Sequence, residues 1–396
     1  MCKLKNDVAN FLTCNPQSLI IYSGTQYNMK NATFLILLLC FVAGRLAAQT
    51  KSINEEKFVT IGGIGQWVTI SGEDRSKPVI LFLHGGPGST MSQYDDAIYG
   101  SWKKEFVLVY WDQRGAGRTF GKNAPDPVTE EYWMKTPLTV EQMTTDGIEL
   151  SEYLINHLRK KKITLIGTSW GSVLGANMAL KRPDLFDAYI GHSQVVDWKE
   201  GFLNAFNTVS KLAQAAKDQE SLDKLATLGP PPYEDARKSG QLMRIIKKYE
   251  RQNSVPAPAN WWKVTSAYDN EKDANDRYNG DDYSFLYFAG HKAMGIKPME
   301  AGVNFMKDGL HYKTPVYFIQ GEEDILTAKE LTQAYFDKVK APKKEFVLVP
   351  GAAHGHNQAV IDAQYKAVKK ALNLQDKTVK QPKTAITSPQ KHHSTL

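Results

Sequence analysis

Cysteine is almost absent. The 396 residues contain three, Cys2, Cys14 and Cys40, and all precede residue 41. Everything beyond them lacks the means for a disulfide, a thiolate metal site or a cysteine nucleophile. Charge of one sign is scarce where it would matter. The net charge is +7, but residues 1–48 hold +3 of it and 374–396 another +3, which leaves +1 over 49–373. A near-neutral body offers no basic face to a phosphate backbone, which excludes nucleic acid as the partner. Long apolar runs are missing too. Residues 34–43 form a run of ten, against about 20 for a membrane span, so no stable span is expected. The histidines and acids show no metal-ligand spacing, and no metal is expected.

What remains is an ordinary globular composition, with 42% apolar and 23% charged residues. That excludes collagen, coiled coil and wholesale disorder. The chain starts with a targeting pattern. Met29-Lys30 precedes the apolar run, and Leu46-Ala47-Ala48 follows it. A positive start, a short apolar stretch and small residues at a cut site describe a secretory signal peptide. It is expected to begin at Met29, with 1–28 an upstream extension, and to be cut near Ala48. The protein is then secreted or periplasmic. An uncleaved anchor or a lipoprotein is the alternative.

Unbroken apolar runs at 79–83, 106–111, 163–168, 187–192, 315–320 and 345–349 read as strands buried on both faces. A hairpin around Gly62-Gly63 precedes them. Helical stretches at 139–159, 170–182, 328–339 and 358–372 alternate with the strands. This is an α/β pattern with a mainly parallel central sheet flanked by helices. From 196 to 312 the pattern becomes helical (203–217, 218–228, 236–249), rich in aromatics, and broken at Pro230-Pro231-Pro232. The expected organisation is a core over 49–195 and 313–373, an inserted helical cap over 196–312, and a disordered tail over 374–396.

The strongest chemical signal is Gly167-Thr168-Ser169-Trp170-Gly171, where an apolar strand meets a helix. A G-x-S-x-G turn in that position lifts a serine hydroxyl above the sheet, with a helix N-terminus beneath it. A serine needs a base, and the base needs an orienting acid. In chain order these should follow the serine. Asp324 lies past the run 315–320, and His354 past 345–349. Glu322 or Glu323 in place of Asp324, and His356 in place of His354, remain open. Two backbone N–H groups should form an oxyanion hole. Trp170 supplies one. Gly86, with Gly85 second, supplies the other from His84-Gly85-Gly86-Pro87-Gly88. No cofactor is needed.

Together, His84-Gly85-Gly86-Pro87-Gly88, then Asp112-Gln113-Arg114-Gly115-Ala116-Gly117-Arg118-Thr119, then Gly167-Thr168-Ser169-Trp170-Gly171, resemble the proline iminopeptidase (prolyl aminopeptidase) branch of the α/β-hydrolases. Thr119 stands where that branch usually has serine. The resemblance implies the α/β-hydrolase fold and a triad of Ser169, Asp324 and His354. It implies that Asp112 and Arg114 brace the oxyanion loop, or simply pair with each other in a turn. It also implies an aminopeptidase that releases N-terminal proline from short peptides. That branch holds the substrate's α-amine with cap glutamates. Glu200 is the candidate here, ahead of Glu234 and Glu300. A carboxylic-ester or amide hydrolase on the same triad is the alternative. A non-catalytic exported binding protein is a remote third. Epoxide hydrolases and dehalogenases of this fold carry Asp where Ser169 stands.

Overall fold

The computed structural model describes residues 51–374 apart from Asp95. The expected targeting segment and nearly all of the expected tail lie outside the described residues. Eight strands form one sheet: β1 Ile53–Ile61, β2 Ile64–Gly72, β3 Val79–Leu83, β4 Val107–Trp111, β5 Ile163–Thr168, β6 Phe186–His192, β7 Val316–Gly321 and β8 Lys344–Val349. Their order is β1-β2-β4-β3-β5-β6-β7-β8. β1 and β2 are the expected hairpin, and β2 joins β4 antiparallel. All later neighbours are parallel. The structure confirms the mainly parallel sheet.

The unbroken apolar runs have their reason in the two cores. Val79, Leu81 and Leu83 face one core, and Ile80 and Phe82 face the other. Val107, Val109 and Trp111 alternate with Leu108 and Tyr110 in the same way. Every β3 and β4 side chain is buried. Each contributes about 1.5–3 kcal/mol of transfer free energy, so neither face tolerates a polar residue.

Nine helices of seven residues or more are described: α1 Gly117–Asn123, α2 Val140–Leu158, α3 Trp170–Lys181, α4 Trp198–Ala216, α5 Gln219–Leu228, α6 Ala236–Asn253, α7 Glu271–Ala289, α8 Lys329–Lys338 and α9 Gln358–Ala371. Thr139 caps α2 by accepting from Gln142 N–H at 3.1 Å, and Asn357 caps α9 by accepting from Val360 N–H at 3.0 Å. Helices α4–α7 lie between β6 and β7, and no strand lies among them.

Helix α7 is not visible in the sequence pattern. Its first half, Glu-Lys-Asp-Ala-Asn-Asp-Arg-Tyr-Asn-Gly, is poor in helix formers. Packing compensates. A Cβ at Gly280 would lie 3.1 Å from Gly115 O and from Gly117 N, so the missing side chain lets α7 seat on the turn before α1. Ser284 Oγ then donates to Gly115 O at 2.7 Å.

Candidate active site

The site sits where β3, β5, β7 and β8 deliver their loops to one edge of the sheet. Ser169, between β5 and α3, has φ +54° and ψ −120°. A non-glycine residue holds that backbone only under strain, and the turn is closed by flanking glycines. A Cβ at Gly171 would fall well inside contact distance of Leu83 O, and one at Gly167 would strike Gly171 O. The two glycines therefore let helix and strand approach.

His354, past β8, places Nε2 2.9 Å from Ser169 Oγ. Its Nδ1 lies 3.1 and 3.2 Å from the two carboxylate oxygens of Asp324, past β7. Asp324 also accepts from Thr327 N–H at 2.8 Å and Thr327 Oγ at 2.7 Å. With Nδ1–H donating to Asp324, Nε2 is left as the acceptor for the serine proton. Burial alone would push Asp324 up, but the His354 charge and hydrogen bond outweigh it and hold the carboxyl low. Burial alone would push His354 down, but Asp324 and then Glu250 outweigh it and hold it high. The structure therefore brings Ser169, His354 and Asp324 together. His356 does not join them. Its ring packs 5.1 Å from that of His192. Burial lowers His356 to about 4.

The loop after β3 runs past the serine. A Cβ at Gly85 would lie 3.3 Å from Ser169 Cβ and from Thr168 O. The N–H groups of Gly86 and Trp170 donate to no partner among the described residues. Gln113 ties the two halves together. Its side chain donates to His84 O at 3.1 Å and accepts from Trp170 Nε1–H at 3.1 Å. Its N–H donates to His84 Nε2 at 3.3 Å. Burial keeps His84 neutral, down at about 4.

The pairing of Asp112 with Arg114 does not occur. Asp112 accepts from Ser92 Oγ at 2.6 Å and Arg118 N–H at 3.0 Å. Arg114 binds Asp146 at 2.6 and 3.1 Å and Gly62 O at 2.8 Å. Asp112 thus braces the segment after the glycine loop, and Arg114 braces the β1–β2 hairpin. Thr119 substitutes for serine at no cost in hydrogen bonds. Its hydroxyl donates to Asp112 O and accepts from Trp67 N–H at 2.8 Å.

A cleft of about 950 Å³ opens above the serine, walled by α6, α7 and the loops described. Glu200 does not line it. It sits exposed in the first turn of α4, its N–H donating to the capping Asp197. Sequence spacing could not tell that first turn from the cleft wall. Glu234 is exposed, and Glu300 is buried but outside the cleft. The acids that do line it are Glu250, Asp281 and Asp282. Glu250, on α6, is 4% exposed. It accepts from Ile325 N–H at 2.9 Å and Leu326 N–H at 3.2 Å through one oxygen. It therefore holds the loop that carries Asp324. Burial, then the Asp324 charge, push it up to about 7.

Residues 78–356 match the model of a family described as the alpha/beta hydrolase fold. The chain belongs to that family. Within it, this α/β-hydrolase is 26% identical over 307 residues to the probable aminopeptidase YbaC of Bacillus subtilis, covering 77% of this chain and 92% of that one. It is 25% identical over 318 residues to a probable proline iminopeptidase of Leptolyngbya boryana, covering 76% and 90%. Among solved structures, VinJ superposes with a TM-score of 0.54 at 19% identity, covering 82% and 99%. A proline iminopeptidase of Mycobacterium smegmatis superposes with 0.53 at 17% identity, covering 81% and 97%. The chain is thus an α/β-hydrolase similar to proteins named aminopeptidase and proline iminopeptidase. Among the described residues no helix is long and apolar enough to cross a membrane, and no cluster of three metal-ligating side chains occurs.

Proposed function

We propose that this hydrolase is a serine peptidase that releases the N-terminal residue, by preference proline, from short peptides through an acyl-enzyme. The observation that carries the reading is the unbroken chain Ser169 Oγ, His354, Asp324 at the floor of the cleft. Ser169 attacks the first carbonyl of the peptide while His354 Nε2 takes the hydroxyl proton. Asp324 orients the imidazole and stabilises its charged form. The N–H groups of Gly86 and Trp170 receive the oxyanion. His354 passes its proton to the leaving amine, and a water attacks the acyl-enzyme by the same route in reverse. For the free α-ammonium the cleft offers Glu250, one of whose carboxylate oxygens accepts nothing from the described residues. An ammonium there would keep Glu250 ionised. The relatives named as aminopeptidase and proline iminopeptidases support this choice of substrate. The targeting pattern at 29–48 supports action outside the cytoplasm.

The test is turnover of a proline arylamide by residues 49–396, beside the Ser169→Ala variant and a short p-nitrophenyl ester. Proline release that disappears in the variant is the expected result. Ester cleavage without proline release, lost in the variant, would overturn the peptidase reading and leave a serine esterase.

A further inference from the structure

The cleft holds more charge than the triad and the α-ammonium account for. Helix α6 presents Met243, Lys247, Glu250, Arg251 and Ser254 to it. That spacing of three and four is one helix face. Opposite, α7 presents Arg277, Asp281 and Asp282. Some of these charges are committed. Glu250 holds the Asp324 loop. Arg277 donates to Tyr268 O at 3.1 Å. Asp281 accepts from Ser89 Oγ at 3.4 Å. Lys247 and Arg251, and the acid Asp282 on the opposite wall, are the exceptions. Both cations line the cleft, and neither makes a hydrogen bond or a salt bridge among the described residues. Lys247 also acts electrostatically on two opposite walls. It disfavours the charged form of His354 and favours that of Asp281. It therefore stands over the cleft and not on the outer surface of α6.

We propose that Lys247 and Arg251 form a subsite for the free C-terminal carboxylate of the leaving fragment, so that the substrates are short unblocked peptides. This rests on the aminopeptidase reading above. A peptidase that removes one N-terminal residue leaves a fragment whose far end, in a di- or tripeptide, is only about 3.3–3.6 Å per residue from the scissile bond. Lys247 and Arg251 are separated by one helical turn, about 6 Å along α6. Two long, unpaired cations on one turn can follow the carboxylate of fragments that differ by a residue. The cleft volume of about 950 Å³ lies at the upper end of the roughly 300–1,000 Å³ usual for small-ligand sites, which leaves room for such a fragment.

The test compares kcat/KM for Pro-Ala and Pro-Ala-Ala with that for the same peptides as C-terminal amides. Proline arylamide serves as the reference substrate without a carboxylate. The free acids should be preferred roughly tenfold, as expected for one charge-assisted contact. The preference should shrink as salt is raised. It should fall to near one in the Lys247→Met, Arg251→Met double variant and survive in Lys247→Arg. The acid-to-amide ratio is unaffected by a general loss of turnover, so it reads the subsite alone. Equal use of acid and amide by the wild type overturns the subsite, and so does a preference that persists in the double variant. In either case, arylamide turnover would leave the aminopeptidase reading standing. If no peptide and no arylamide is cleaved while a Ser169-dependent esterase activity persists, both readings fall together.

Discussion

Neutralising Glu250 as Glu250→Gln should move the acid limb of the pH–rate profile to lower pH. His354 must be neutral to accept the serine proton, so activity rises as pH passes its pKa. Asp324 and Glu250 both hold that pKa up. Glutamine can keep the two contacts that Glu250 makes, 2.9 Å from Ile325 N–H and 3.2 Å from Leu326 N–H. The Asp324 loop should therefore stay in place while one negative charge disappears. At an effective dielectric constant of about 20, unit charges about 4 Å apart interact by roughly 4 kcal/mol, which bounds this coupling from above. Water in the open cleft screens part of this, and Glu250 itself titrates near 7. A downward shift of about one unit is the expected net result. The assay is kcat/KM for a short p-nitrophenyl ester from about pH 5 to pH 9. An ester without an α-ammonium keeps substrate binding by Glu250 out of the measurement. With proline arylamide the same variant should instead show a raised KM. A limb that stays in place on the ester, or moves up, refutes the electrostatic coupling. Glu250→Ala is the wrong probe, because it leaves buried N–H groups unpaired at about 1–3 kcal/mol each.

Three further outcomes follow from the geometry. Asp324→Asn should lower kcat by about 10⁴-fold, because the imidazole loses its anionic partner and the tautomer that presents Nε2 to Ser169. A loss below about tenfold, measured on the arylamide with unchanged Tm, would remove Asp324 from the mechanism. Gly171→Ala should destabilise the fold itself, since its Cβ meets the Leu83 carbonyl oxygen of a central strand. Gly85→Ala meets Ser169 Cβ at 3.3 Å instead. It should fold with near wild-type Tm and lose activity, and the reverse ranking in thermal melts would contradict the packing described. Glu300 is 5% exposed, and burial pushes it up to about 8. The folded state then keeps a proton that the unfolded chain releases near 4.5. The stability this provides is complete below that value and is lost as pH rises towards 8. Glu300→Gln should therefore gain stability relative to wild type by a few kcal/mol between pH 5 and pH 9. Parallel Tm curves for the two proteins would contradict it.

The sheet was legible for a physical reason. A strand buried on both faces has no polar alternation, and 79–83 or 163–168 can be little else at that length between turn residues. The grouping of Ser169, Asp324 and His354 was legible because each residue is tied to a strand end, so chain order substitutes for distance. The sequence left open which histidine and which acid come together, and in the structure it is His354 with Ser169 and Asp324. His356 packs edge-on against His192, whereas His354 reaches both Ser169 and Asp324. Gln113 lay inside a motif already marked for Asp112 and Arg114. Its value comes from spanning His84 and Trp170, two residues far apart in the chain.

The cleft walls were not legible, and the reason is general to inserted helices. Glu200 and Glu250 both lie on amphipathic helices of the insertion, and periodicity identifies only the face that meets the core. It does not show whether the other face meets water or the mouth of a site. Glu200 faces water. Glu250 lies within the band of α6 that includes Leu242, Ile246 and Tyr249, at a position where an apolar residue would have packed equally well. A carboxylate buried at such a position costs several kcal/mol unless something compensates. In this protein the compensation is local and specific, two backbone N–H groups of the Asp324 loop. A charged residue on the apolar stripe of a helix in an insertion is therefore the signal that would have pointed to this wall. The exposed acids at the helix starts, which charge counting favours, are explained by capping alone.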